Sequence, residues 1–76
     1  MNCSRRKSLR EAVSLIEQAV SIIESVSESE QDALDNIPEN FQSGDRAVRM
    51  EEVVDLMDSS AESLESVKSD LESILS

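Results

Sequence analysis

Carboxylates dominate the groups of this sequence that could perform chemistry. The 76 residues include 17 Asp and Glu against seven Lys and Arg, giving a net charge of -10, and there is no His. Without His a nucleophilic triad lacks its usual base, and the lone Cys3 has no candidate base beside it. We therefore expect no enzyme. Direct nucleic-acid binding is not expected either, because it needs cations that displace phosphate counterions.

Six acids of the C-terminal half recur at helical spacing on one stripe: Glu51, Asp55, Asp58, Glu62, Glu65 and Glu72. The pattern is faintly similar to the magnesium carboxylates of all-α nucleotide pyrophosphatases, which face inward. Here the stripe lies opposite the apolar positions, so we expect a solvated surface and no metal, cofactor or catalytic site. As a functional surface, it would bind a partner protein through Glu51, Asp55, Asp58 and Glu62, or mimic DNA in a basic groove.

Two long stretches with helical periodicity must position these acids. Pro38 lacks an amide donor and disfavours helical dihedrals at Ile37, so the first helix must end just before it. We predict one all-α domain over 1–76, with helix one at about 5–36, a loop at about 37–44 and helix two at about 45–75. The heptad positions assigned to the seam are Leu9, Ala12, Ile16, Ala19, Ile23, Val26, Glu30, Ala33 and Ile37 in helix one, and Met50, Val53, Met57, Ser60, Leu64, Val67, Leu71 and Ile74 in helix two.

Equal helices around one short break favour a two-helix antiparallel coiled-coil hairpin. The two seams match when the numbers of facing residues add to about 83. Ser43 or Asp45 is expected to cap helix two, and Phe41 to plug the closed end of the hairpin.

Further apolar residues remain beside this seam, and the apolar stripe is too wide for one partner helix. We therefore predict a homo-oligomer, most simply two hairpins in a four-helix bundle. The residues assigned to the interface between copies are Val13, Leu15, Val20, Ile22, Val54, Leu56 and Ala61.

Compartment is indicated by the cysteine count and the charge pattern. One cysteine cannot form an intrachain disulfide, which suits a reducing cytoplasm. A basic cluster at Arg5, Arg6, Lys7 and Arg10 precedes a segment whose apolar run is broken by Glu11 and other polar residues. We read no signal peptide or membrane span and expect no membrane partner.

The segment 35–46, Asp-Asn-Ile-Pro-Glu-Asn-Phe-Gln-Ser-Gly-Asp-Arg, followed by Met50-Glu51, resembles a pattern in short acidic proteins of phages and gut-bacterial mobile elements. In those proteins an acidic helix runs into Asp-Asn-Leu-Pro-Glu, and Met-Glu opens a second acidic helix. This chain departs from the pattern at Gly44 and Ala47. The resemblance covers about 20 residues, and because that family is uncharacterised it supplies an origin and no catalytic residues.

Taken together, the sequence predicts a phage-type accessory protein that self-associates and binds a host or phage protein in the host cytoplasm, with inhibition as one mode. Its candidate partner-binding residues are the loop residues Asn36, Pro38, Phe41, Gln42 and Arg46, together with the four acids named above. A purely structural assembly module and an acidic DNA mimic are the alternatives. The loop residues could also simply build the turn.

Overall fold

The computed structural model describes residues 1–41 and 44–76 as an antiparallel pair of long helices. Helix α1 spans Cys3–Asp35, a short 3-10 turn spans Glu39–Phe41, and helix α2 spans Asp45–Leu75. The helices pack along their whole length in a body of 59 × 15 × 14 Å. The predicted all-α helical hairpin is confirmed.

Helix α1 starts two residues before the predicted position because Asn2 caps it. The Asn2 side-chain Oδ1 accepts the backbone N–H of Arg5 at 2.8 Å, which satisfies one of the free donors of the first turn. At the other end, the Asn36 N–H donates to the Asp32 carbonyl and the Ile37 N–H to the Leu34 carbonyl. Pro38 follows at once, where the helix cannot continue.

Helix α2 begins differently from the expectation. Gly44 occupies the N-cap with extended backbone angles and makes no side-chain capping bond, while Asp45 is already the first helical residue. Asp45 is therefore not the cap, although its charge suits the positive end of the helix. The other predicted cap, Ser43, lies outside the described residues.

The seam between the helices is rotated from its predicted position by about 50° on each helix, given 3.6 residues per turn. The row that contains Ile16 and Ile23 on α1, and Met57 and Leu64 on α2, remains half-buried. In the other predicted row, each residue gives way to its next neighbour along the chain. Val26, Ala33, Ser60, Val67 and Ile74, predicted inside, are exposed. Buried in their place are Val20, Ser27, Leu34, Val54 and Ala61, together with Ala47.

These six buried residues repeat every seven positions on each helix, and they explain the rotation. They form one row on α1, Val20, Ser27 and Leu34, and one row on α2, Ala47, Val54 and Ala61. On α1 the rotated row buries Val20 and Leu34 where the predicted row held Ala19 and Ala33, and each extra buried methylene stabilises by about 0.8 kcal/mol. On α2 the buried row includes the small residues Ala47 and Ala61.

Three polar contacts fix the sliding of one helix along the other. The Ser27 hydroxyl donates to Asp58 Oδ1 at 2.6 Å, Lys68 Nζ lies 3.6 Å from Glu17 Oε1, and the Arg6 guanidinium donates to the Leu75 carbonyl at 3.0 Å. The residue numbers of these pairs add to 81 or 85, on either side of the predicted sum of about 83. The translation was thus predicted well, and the rotation was not.

Candidate interaction surfaces

One broad side of the hairpin carries acids from both helices, and we call it the acidic face. A shallow depression on this side is lined by Glu24 of α1 and by Asp58, Glu62 and Glu65 of α2, and another by Gln31, Asp55 and neighbouring residues. The acidic face as defined by helical spacing comprises Glu17, Glu24, Glu28, Asp35, Glu51, Asp55, Asp58, Glu62, Glu65 and Glu72.

A lysine at the edge of the seam partly neutralises the acidic face. Lys68 Nζ lies 3.6 Å from Glu17, 3.7 Å from Glu65 and 3.9 Å from Glu72. The negative charge of Glu65 is the largest cause that raises the pKa of Lys68; desolvation acts against it, and Glu17 and Glu72 raise it further. The remaining acids leave this side strongly negative.

The opposite broad side is apolar. Its large residues remain well exposed, with exposed fractions of 57% at Leu15, 65% at Ile22 and 60% at Leu56. Helical spacing puts them on one flank of each helix, and in an antiparallel pair matching flanks share a side. We define the apolar face as Leu15, Ile22, Val26, Leu56, Val67 and Ile74, with the smaller contributions of Ala12, Ala19, Ala33 and Val53.

The chain exposes more surface than its size requires. A compact monomer of 8.4 kDa exposes about 4,600 Å², whereas this hairpin exposes 5605 Å². The elongated shape of two helices, which can shelter only the seam between them, leaves this extra surface in water. The apolar face is a contiguous exposed apolar patch, of the kind that marks interaction sites in small soluble chains.

The residues assigned to the interface between copies divide into two groups. Leu15, Ile22 and Leu56 lie on the apolar face, where a second molecule can reach them. Val20, Val54 and Ala61 are instead buried within the hairpin, and Val13 is half-buried in the same row. For these four the assignment is corrected, because the rotated seam already covers them. Sequence reasoning missed Val26, Val67 and Ile74, which the same rotation exposes.

The candidate loop residues build the turn. The Asn36 N–H closes α1, the Pro38 carbonyl accepts the Phe41 N–H at 2.8 Å, and the Phe41 carbonyl accepts the Gly44 N–H at 3.1 Å. The Phe41 ring does not plug the hairpin, since 62% of the residue is exposed. It lines an open apolar depression with Pro38 and Arg46. Gln42 lies outside the described residues.

The four candidate acids of α2 are all exposed. Glu51, Asp55, Asp58 and Glu62 lie on the acidic face as the sequence predicted, and Asp58 also accepts the buried Ser27 hydroxyl. Over residues 1–41 and 44–76, no three acids, cysteines or histidines come together in a way that could hold a metal ion. The same residues contain no helix with an apolar stretch long enough to cross a membrane.

Comparison with known proteins adds no family. The chain matches no family model, and neither the curated proteins nor the solved structures contain a match to it. The two faces of the hairpin are therefore the features from which a function must be argued.

Proposed function

We propose that this protein is a non-enzymatic binding protein whose copies pair through the apolar face and present the acidic face to a protein partner. The observation that carries this proposal is the separation of exposed aliphatic and acidic side chains onto opposite sides of one hairpin. A chain needing only to fold would gain nothing from such a broad second apolar surface.

The size of the apolar face supports pairing. From Ala12 to Ala33 it is about 32 Å long at 1.5 Å per residue, and two adjacent helices make it about 20 Å wide. Its footprint is therefore about 600 Å² per copy, so pairing buries about 1,200 Å² in total, at the lower limit of stable interfaces. Pairing would thus remove about 600 Å² from the roughly 1,000 Å² by which each copy exceeds a compact monomer.

Pairing through this face would leave the acidic faces of both copies outward. Two antiparallel helices with rows of exposed carboxylates offer a rigid negative surface, which attracts a basic protein and speeds its encounter. The resemblance of the turn segment to phage and mobile-element proteins supports a host or phage protein as that partner, bound in the host cytoplasm, with inhibition as the effect.

Sedimentation and capture experiments test the two halves of the proposal. The wild-type chain should sediment as a dimer or larger assembly in dilute buffer. Capture from a host lysate should fail when Glu51, Asp55, Asp58 and Glu62 are changed to their amides. It should survive in a matched control that changes Glu11, Asp32, Glu39 and Glu52, four acids away from the acidic face.

The outcomes separate the alternatives. Equal loss in both variants would show that net charge, not the acidic face, governs capture. Assembly with no captured protein would favour a purely structural module. If DNA displaces this protein from the captured partner, the DNA-mimic alternative is favoured. A monomeric wild type would reject the proposal.

A further inference from the structure

We infer that the second occupant of the apolar face is another copy of this chain, packed antiparallel so that the loops of the two hairpins lie at opposite ends. This inference rests on the proposed self-association and specifies its geometry. The arrangement is a twofold-symmetric four-helix bundle in which α1 packs on α1 and α2 on α2 of the second copy.

The charges on α2 carry the argument. The outer row of the apolar stripe on this helix consists of Arg49, Leu56, Ser63 and Asp70, so that exposed residues of opposite charge stand at its two ends. The midpoint between them falls beside Ser60. If two α2 helices cross antiparallel about that midpoint, Arg49 of each copy faces Asp70 of the other. The present partner of Arg49 is Glu52 of the same helix, 3.2 Å away, in an exposed pair that contributes little.

Side-chain sizes on α2 agree with the same midpoint. Val53 then faces Val67 of the second copy, Leu56 faces Ser63, and Ser60 faces its own counterpart. A large residue meets a small one beside the centre, as close packing of two helices requires.

The side-chain sizes on α1 also fit antiparallel packing about this midpoint. Glu24 and Ala61 line one depression, so the midpoint beside Ser60 lies level with about residue 24 of α1. Antiparallel packing about this level places Ile22 against Val26 of the second copy, and Leu15 against Ala33. Leu15 thus meets a small side chain, whereas the two largest central residues, Ile22 and Val26, meet each other.

The parallel alternative, with both loops at one end, fails on the same residues. It would pack α1 against α2 of the second copy at equal levels, which puts the carboxylate of Asp70 over Leu15. Burying an unpaired charge against an aliphatic side chain is costly.

Cysteine cross-linking tests the midpoint. In a Cys3→Ser background, Ser60→Cys should form a disulfide-linked dimer rapidly under mild oxidation. Ser59→Cys is the matched control, because its neighbouring position points away from the apolar face. Faster linking at 60 than at 59 supports the arrangement, and equal or slower linking overturns it.

Charge reversal tests the ends of the stripe. Arg49→Glu alone should weaken dimerisation by about tenfold, since it affects both symmetry-related pairs. Adding Asp70→Lys in the same chain should restore it. No recovery in the double variant would overturn the arrangement. Either failure in a chain that still dimerises leaves the proposed function standing, whereas a wild-type monomer in sedimentation would overturn both.

Discussion

The exposed isoleucine at the centre of the apolar face offers the sharpest test of self-association. Ile22 exposes 65% of its surface to water although it lies near the middle of the long helix α1. Fully burying such a side chain stabilises by about 1.5–3 kcal/mol, so covering the exposed part is worth about 1–2 kcal/mol per copy. Ile22→Asp loses this contribution twice in a dimer, which amounts to about 2–4 kcal/mol.

The introduced carboxylates add a desolvation cost to this loss, so Ile22→Asp should weaken dimerisation by at least about 100-fold. Analytical ultracentrifugation across a concentration series measures the change. Circular dichroism of the variant should remain helical, because the side chain takes no part in the seam. Ser25→Asp, on the outer side of the same helix, adds the same charge and should dimerise nearly as wild type.

The reasoning fails if Ile22→Asp sediments like the wild type at concentrations where the wild type is dimeric. The same conclusion follows if Ser25→Asp weakens assembly equally, since added charge alone would then be responsible.

Three further predictions concern the hairpin itself. Leu34→Ala, at a buried seam position, should lower the free energy of unfolding by about 2–3 kcal/mol in urea titration, and an unchanged midpoint would contradict the seam described above. Ser27→Ala removes a bond to the carboxylate of Asp58 and should cost about 1 kcal/mol, whereas Ser27→Ala in an Asp58→Ala background should cost much less, because the bond is already gone. The pKa of Lys68 is raised above its usual 10.5, chiefly by Glu65, so its stabilising contribution is complete below that pH and is lost as pH rises through the higher folded value. Thermal melts of wild type and Lys68→Met should therefore converge as the pH rises beyond 10.5, and a gap that widens there would contradict the sign.

The hairpin could be predicted from the sequence because its determinants are local. Pro38 ends one helical pattern, and a second pattern of equal length begins a few residues later. The translation of the helices also followed, since matching two seams around a short turn leaves little freedom. These features depend on spacing along the chain and not on which flank of a helix is buried in the seam.

The rotation of the seam could not be predicted because two neighbouring rows of apolar residues on α1 were each suitable for burial. On α1, Ala19 and Val20 are neighbours and both apolar, so periodicity alone does not choose between them. The choice depends on how α2, whose buried row includes Ala47 and Ala61, accommodates the larger row, and that is a property of the two helices together. The exposure of Phe41 was also missed, because spacing does not show which residue near the closed end is covered; there Ala47 is buried and Phe41 is not.

The small buried core of the hairpin affects how long a monomer resists proteolysis. Only small or medium side chains are well buried, so opening a solitary hairpin exposes little additional apolar area. Proteases act on such transiently opened chains at a rate set by how often they open. The proposed pairing would lower that frequency, so degradation should then slow as the protein accumulates, and its half-life should lengthen with its own abundance.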